Sequence, residues 1–155
     1  MYKTFHVKRF IHVPHGTNFQ IMTKNKKNTK EIGSLGEKVA VEYLLRNGFS
    51  ILITNYWKKW GEIDIIAKKI NRVHFVEVKS VAYETKGKLE YAVSHETWRP
   101  EEQVHQFKIH QIEKALETWI SENNYEGEWQ IDVLAIRLVP HETFATVKYI
   151  ENIGY

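Results

Sequence analysis

The chain has 155 residues, of which 43% are hydrophobic, and a formal net charge of +3. This length suits one globular domain with a full core and leaves little room for a second. No stretch approaches about 18 consecutive apolar residues and there is no cysteine, which argues against a membrane-spanning helix and excludes disulfides and thiolate metal sites. We therefore expect a soluble, cytoplasmic protein in which any metal is held by oxygen or imidazole.

The first 30 residues differ from the rest in charge. They carry seven basic residues and no acidic one, whereas the remainder carries 15 basic and 19 acidic residues. A basic arm adds salt-sensitive affinity for phosphate backbones, but a charge run is more often a solvated tail. We predict a flexible basic extension over residues 1–30 and a single domain over residues 31–155.

The first helix is predicted from about Ser34 to Asn47. Residues 34–37 match a capping box, and Gly48 stands where helices commonly end. The apolar residues of this helix form one stripe, and Glu37 lies on it. A carboxylate on that stripe needs a partner, unless the capping box already explains it.

A strand is predicted over residues 49–56, and residues 61–79 contain two apolar runs that flank a polar centre. This pattern predicts a β-hairpin. We predict a four-residue loop, Lys69 to Arg72, because Ile70 is poorly suited to the positive φ of a two-residue type I′ turn. In this register, residues whose numbers sum to 141 face each other.

The hairpin sets charged residues opposite one another. Asp64 opposes Glu77, and Glu62 opposes Lys79, its simplest salt-bridge partner. Because side chains alternate along a strand, all four side chains are expected on the same face of the hairpin. Two carboxylates about 4 Å apart repel by about 4 kcal/mol at an effective dielectric near 20, and a bound cation would remove that cost. Two carboxylates with a lysine beside them form the usual grouping for metal-assisted phosphodiester hydrolysis. The alternative is an ordinary ion-pair network.

Residues 81–99 are polar and lack a clear period, so we predict a long loop there. A second helix is predicted from Pro100 to about Glu122. Two strands follow, at residues 129–138 and 144–150, with a turn between them. The buried side of the second helix is expected to carry Val104, Phe107, Ile112, Ala115, Trp119 and Ile120.

These elements predict an α/β fold. A helix between strands implies a parallel crossover, so the central sheet should be mixed and flanked by helices. Lys108 lies beside the apolar stripe of the second helix, where it either snorkels to solvent or reaches a phosphate. Asp132 alternates with Leu134 and Ile136, so we expect it to point inward to a buried partner. His105 and His110 are poorly spaced to share one helical face, and we assign neither as a ligand.

The segment from Trp57 to Trp60 interleaves two lysines, Lys58 and Lys59, with two indole rings. Such rings stack on unpaired bases in proteins that bind single strands. Alternatively, the tryptophans cover the edge of the core.

Several short motifs occur in a definite order along the chain. They are Gly36-Glu37, Asn55-Tyr56, Gly61 to Ala67, Val76 to Lys79, Lys108 and Asp132-Val133. This order resembles that of the YraN-like family, over about residues 31–150. That family is itself similar to the PD-(D/E)XK nuclease superfamily, particularly the Holliday junction resolvases, and the resemblance implies their restriction-endonuclease-like order α-β-β-β-α-β-β.

The resemblance assigns roles by position. Asp64 matches the aspartate of the superfamily, Glu77 its acidic residue and Lys79 its lysine. Glu37 matches the glutamate of the first helix and would join these three as a catalytic residue. The metal would be held by Asp64, Glu77 and the backbone carbonyl of Val78. Mg²⁺ is the natural ion, since it binds few carboxylates and keeps several waters, and Mn²⁺ is able to replace it.

The expected function is that of a metal-dependent DNA endonuclease. By resemblance, its substrate is branched or flapped DNA, and the relatives often pair as homodimers. We expect Lys58, Lys59 and Lys108 to contact the nucleic acid. The alternatives are a non-catalytic nucleic-acid-binding module of the same fold and a scaffold partner in a DNA-processing complex.

Overall fold

The computed structural model describes residues 5–7, 26–99, 104–142 and 144–153. The elements in chain order are β1 (Phe5–Val7), α1 (Lys26–Arg46), β2 (Ser50–Lys58), β3 (Gly61–Lys69), β4 (Arg72–Ala82), α2 (Lys86–Ser94), α3 (Gln106–Glu122), β5 (Glu128–Val139) and β6 (Phe144–Ile150). Within the described ranges, six strands form one sheet in the order β1-β6-β5-β4-β3-β2. β4 pairs with β5 in parallel, whereas the other neighbouring strands pair antiparallel. The mixed α/β sheet and its parallel crossover are therefore confirmed.

α1 begins earlier than the sequence pattern predicts. It is helical from Lys26, so residues 34–37 lie inside the helix and the predicted capping box is wrong. The first turns are polar and carry no apolar period, which is why the pattern located only the packed part of the helix. The other end agrees with the prediction, since Gly48 has a φ of +82°, a left-handed conformation that glycine adopts at helix ends.

The β3–β4 hairpin has the predicted register and a different loop. Ile65 pairs with Val76 and Lys69 pairs with Arg72, so the paired numbers sum to 141 as expected. The loop therefore has two residues, and Ile70 takes a φ of +55°. The four-residue prediction is wrong because the ladder continues to the pair Lys69 and Arg72, which leaves only Ile70 and Asn71 for the turn.

α2 occupies the middle of the region predicted as a long loop. Thr85 caps its first turn by accepting a hydrogen bond from the Lys88 backbone N–H at 3.2 Å. Leu89 and Ala92 are its buried residues. Two apolar positions are too few to form a visible helical period, so this element was missed.

α3 begins at Gln106 rather than at Pro100, and residues 100–103 lie outside the described ranges. Phe107 is 73% exposed, so its predicted burial is wrong. Val104 is buried as expected, although it precedes the helix. The buried face of the helix is formed by Ile112, Ala115, Leu116 and Trp119.

The two faces of the sheet are covered by different helices. α1 packs on one face, over a cluster that includes Leu44, Ile65, Val76 and Leu134. α3 packs on the other face, over a cluster that includes Phe75, Ile112, Trp119 and Ile131. None of the described helices is long and apolar enough to cross a membrane. Of the predicted basic extension, residues 5–7 pair with β6 and residues from Lys26 belong to α1, while residues 1–4 and 8–25 lie outside the described ranges.

Candidate active site

A cavity of about 700 Å³ lies where α1, β3, β4 and α3 meet. Its walls are mainly polar at the strands, and Phe107 and Ile32 contribute apolar surface. The structure thus brings together side chains from four separate elements. The lining includes six residues singled out from the sequence, namely Glu37, Asp64, Glu77, Val78, Lys79 and Lys108.

Asp64 and Glu77 are close to each other in this cavity. Asp64 precedes Ile65 and Glu77 follows Val76, the pair at which the β3–β4 ladder ends, and Glu77 is only 3% exposed. Burial raises the pKa of Asp64 to about 7, and repulsion by Glu77 contributes to the rise, while a hydrogen bond from the Val78 backbone N–H at 2.7 Å opposes it. The protein therefore holds this carboxylate pair at an electrostatic cost.

The alternation of side chains is broken at Asp64. Ile63 and Ile66 both pack beneath α3, although they lie three positions apart, whereas Ile65 packs beneath α1. The neighbouring strand has a matching irregularity, since Asn55 has a φ of +53°, a conformation that asparagine adopts more readily than most residues. The predicted common face, which assumed strict alternation, is wrong in this detail, although all four charged residues still line the cavity.

Two lysines contact the buried Glu77. Lys79 Nζ lies 2.9 Å from Glu77 Oε1, and Lys108 Nζ lies 3.2 Å from Glu77 Oε2. Lys108 Nζ is also 3.4 Å from Glu62 Oε1, so Glu62 contacts Lys108 rather than the predicted Lys79. Burial acts to lower the pKa of Lys108, but attraction by Glu77 and Asp64 outweighs it and the pKa is raised. Lys108 is therefore held in its charged form beside the carboxylates.

Glu37 reaches the cavity because of the glycine that precedes it. A Cβ at Gly36 would lie 1.7 Å from Ser80 Oγ, so a side chain there would push α1 away from β4. Glu37 lines the cavity, and its charge helps to raise the pKa of Asp64, after burial and Glu77. Gly36 and Glu37 thus form one structural unit, which the sequence alone did not indicate.

The donor set fits a divalent cation. Glu77 Oε2 is buried and lies 3.2 Å from the Lys108 ammonium. Among the described residues, no group of three acidic or imidazole side chains is arranged to hold a metal. Asp64, Glu77 and Val78, the three ligands expected from the resemblance, all line the cavity, and water would complete the shell of an ion held there. This composition suits Mg²⁺, which keeps several waters in its shell.

Lys58 and Lys59 lie outside the cavity. Lys58 Nζ is 2.5 Å from Glu122 Oε1, and the Tyr56 hydroxyl donates to Glu122 Oε2 at 2.7 Å. Lys59 is exposed, with its ammonium 5.3 Å from the centre of the Trp60 ring. The structure therefore does not bring these two lysines to the carboxylates.

Asp132 belongs to a separate, buried network. It is fully buried and accepts hydrogen bonds from the Tyr149 hydroxyl at 2.5 Å, Gln130 Nε2 at 2.7 Å and the Asn152 backbone N–H at 2.8 Å. His74 Nδ1 lies 2.6 Å from Asp132 Oδ2, the same oxygen that the Tyr149 hydroxyl contacts. The expected buried partner is confirmed, and the network connects β4, β5 and β6 within the core.

The comparison with known proteins identifies the family. A family model described as Uncharacterised protein family UPF0102 matches residues 36–136. The chain belongs to this family. It is the YraN family, so the resemblance noted from the sequence is confirmed. The UPF0102 match begins at Gly36 and includes every cavity residue singled out above.

Relatives in the UPF0102 family cover most of the chain. A protein of Campylobacter fetus is 37% identical over 125 residues, which is 79% of this chain and 93% of the relative. One of Trichlorobacter lovleyi is 36% identical over 128 residues, covering 81% and 91%. One of Caldanaerobacter subterraneus is 34% identical over 129 residues, covering 82% and 97%. All three are named UPF0102 proteins, and these names specify no activity.

Proposed function

We propose that this UPF0102 protein is a metal-dependent nuclease that hydrolyses phosphodiester bonds in DNA. The observation that carries the proposal is the pair of carboxylates, Asp64 and Glu77, held together in a cavity despite the raised pKa of Asp64. Buried like charges are unfavourable unless a cation compensates them.

The chain itself supplies several parts of the reaction. Asp64, Glu77 and the Val78 carbonyl would hold Mg²⁺ or Mn²⁺, which supplies Lewis acidity at a phosphoryl oxygen and activates water. Lys79, whose Nζ lies 2.9 Å from Glu77 Oε1, would orient the attacking water and stabilise the negative charge that develops on the phosphoryl oxygens. The water would form a P–O bond in line with the leaving oxygen as the P–O bond to that oxygen breaks. The water would give up a proton to solvent, and the leaving oxygen would take one from solvent.

Two further residues would position the reactants. Lys108 has a raised pKa, so it remains cationic and is able to bind the scissile phosphate. Glu37 lines the same cavity from α1 and is able to accept a hydrogen bond from a water there. Neither residue needs to change its charge during the reaction.

The substrate and assembly follow from resemblance. Similarity to the Holliday junction resolvases supports branched or flapped DNA as the substrate and a homodimer as the assembly. The absence of cysteine fits a reducing, cytoplasmic compartment. Lys58, Lys59 and the basic residues of the N-terminal extension would contact phosphates outside the cavity.

One observation favours a second function, that of a nucleic-acid-binding module without hydrolysis. Glu77 is already contacted by two ammonium groups, those of Lys79 and Lys108. A site that is partly neutralised by the protein's own lysines has less need of a metal. In this case the same surface would bind the phosphates of a nucleic acid without hydrolysing its phosphodiester bonds.

A cleavage assay separates the two functions. The purified full chain is incubated with Mg²⁺ or Mn²⁺ and branched, flapped and linear DNA and RNA, beside Asp64→Asn and Glu77→Gln. The exposed Glu117 of α3 gives a matched control, Glu117→Gln. Metal-dependent cutting of DNA that both site variants lose and the control keeps supports the nuclease. Binding without cutting supports the module, and cutting that survives in either site variant refutes the assigned site.

A further inference from the structure

One large exposed aromatic side chain lines the cavity, and a second lies on the strand next to it. Phe107, in the first turn of α3, lines the cavity with 73% of its surface exposed. Trp57, near the end of β2, is 70% exposed. The alternative expectation, that Trp57 covers the edge of the core, therefore does not hold. We call Phe107 and Trp57 the aromatic rim.

The aromatic rim flanks one ion pair. Trp57 is the register partner of Glu62, and cross-strand partners lie on the same side of a hairpin. Glu62 in turn contacts Lys108, whose Nζ lies 3.4 Å from Glu62 Oε1, and Lys108 directly follows Phe107 in α3. Each ring therefore adjoins one member of the Glu62–Lys108 pair, Trp57 as the register partner of Glu62 and Phe107 as the chain neighbour of Lys108.

The position of the rim is fixed by close packing. A Cβ at Gly61 would lie 2.2 Å from the Gln111 carbonyl oxygen, so glycine allows the β2–β3 turn to approach α3 closely. Trp60 Nε1 donates a hydrogen bond to Thr118 Oγ1 at 3.1 Å, which holds the same turn to the same helix. The rim therefore lies on rigid elements that also shape the cavity.

We infer that the aromatic rim stacks unpaired bases of a nucleic-acid strand whose phosphate lies at Lys108. This inference rests on the proposed function and specifies its substrate as a strand with unpaired bases beside the cut. Aromatic rings stack on any unpaired base, whereas bases in a duplex already stack on each other. Each ring also adjoins a charged residue, Glu62 or Lys108, unlike the contiguous apolar patch of a protein-docking surface.

The inference predicts a difference between single-stranded and paired substrates. An oligonucleotide with 2-aminopurine at its centre is used alone and in a fully paired duplex, with Mg²⁺ and an Asp64→Asn background that prevents cutting. Binding of the single strand should quench the 2-aminopurine fluorescence. Phe107→Ala and Trp57→Ala should each weaken single-strand binding by about tenfold and leave duplex binding nearly unchanged.

Two further variants make the test specific. Phe107→Leu keeps an apolar side chain without a π-face, so it should bind the single strand as weakly as Phe107→Ala. Tyr91→Ala removes another exposed aromatic, 62% exposed on α2, and should leave binding unchanged. Because both rim residues are largely exposed, their variants should melt close to the parent protein, and thermal melting verifies this.

The inference is overturned if Phe107→Leu binds the single strand like the parent, if the rim variants lose affinity equally for both substrates, or if neither oligonucleotide binds. Its failure differs from that of the proposed function. Cutting that depends on Asp64 but not on Phe107 or Trp57 refutes only the stacking. Stacking by Phe107 and Trp57 in a protein that cuts no nucleic acid refutes only the nuclease.

Discussion

Asp64→Asn should stabilise the metal-free protein while removing its metal site. The folded protein raises the pKa of Asp64 from 3.8 to about 7, which corresponds to about 4 kcal/mol of unfavourable free energy for the ionised form. The side chain is partly exposed, so solvent screening reduces this value and we expect about 2 kcal/mol. Asparagine avoids the charge and still presents an oxygen to the Val78 backbone N–H.

The pH dependence follows from the direction of the shift. The pKa of Asp64 is higher in the folded than in the unfolded chain, so its favourable contribution is fully present below about pH 4 and is lost as the pH rises to about 7. The advantage of Asp64→Asn over the wild type should therefore be negligible near pH 4, grow between pH 4 and 7, and stay constant above pH 7.

Thermal or urea unfolding in EDTA at several pH values measures this effect. At pH 8 we expect Asp64→Asn to melt about 4–8 °C above the wild type. Added Mg²⁺ should then raise the melting temperature of the wild type but not that of the variant.

The control is Asp132→Asn, which alters another buried acid. Asp132 is held by several hydrogen bonds, so this variant should be destabilised by about 2–3 kcal/mol. If Asp64→Asn instead destabilises the protein at pH 8 without metal, Asp64 belongs to a favourable ion-pair network and the account of a strained carboxylate pair fails.

Two other predictions concern Lys108 and Gly36. Lys108→Met removes a cation 3.2 Å from Glu77, so the protein should bind Mn²⁺ about tenfold more tightly in the absence of DNA, as measured by electron paramagnetic resonance. Lys114→Met, an exposed change on the same helix, should have little effect on the affinity for Mn²⁺. An affinity that neither substitution changes would contradict the placement of Lys108 beside the metal ligands. Gly36→Ala should lower the free energy of unfolding by about 1–3 kcal/mol, because its Cβ would meet a β4 side-chain oxygen at 1.7 Å. At Gly33 an added Cβ would meet nothing within 4 Å, so Gly33→Ala should raise the free energy of unfolding by up to about 1 kcal/mol. Equal effects of Gly36→Ala and Gly33→Ala on stability would refute the close approach of α1 to β4.

The hairpin register was predictable because it depends on local sequence. Its two apolar runs have only one alignment that buries both, and Ile65 faces Val76 as a result. The loop was mispredicted because the ladder gains one more pair, Lys69 with Arg72, at the expense of a positive φ at Ile70. A turn residue at positive φ costs of order 1–3 kcal/mol, and the backbone hydrogen bonds of the closing pair offset part of this cost.

The helices show which parts of a fold an apolar period fails to predict. α1 starts with polar turns and α2 buries only Leu89 and Ala92, so neither region has a clear apolar stripe. Phe107 fits the helical period and is nevertheless exposed, because α3 begins close to it and its first turn projects beyond the sheet cluster at the cavity mouth. Periodicity thus indicates which residues are able to face a core, and not where the core ends.

The candidate site was only partly accessible from the sequence. The pairing of Asp64 with Glu77 followed from the register, and the resemblance added Glu37 and Lys108. Their convergence in one cavity depends on two close packings of helices on strands, each of which requires a glycine, Gly36 or Gly61. Such long-range contacts leave no periodic signal, so the contact of Lys108 with Glu62 and the exposed rim emerged only from the structure.

The measurement that tests the central claim most directly is a titration of the full chain with Mn²⁺ at pH 8, followed by calorimetry or electron paramagnetic resonance. The account predicts saturable binding in the wild type and in Glu117→Gln, and loss of that binding in Asp64→Asn and in Glu77→Gln. A wild type that binds no ion, or site variants that bind it as tightly as the wild type, would contradict the assignment of these two carboxylates as metal ligands.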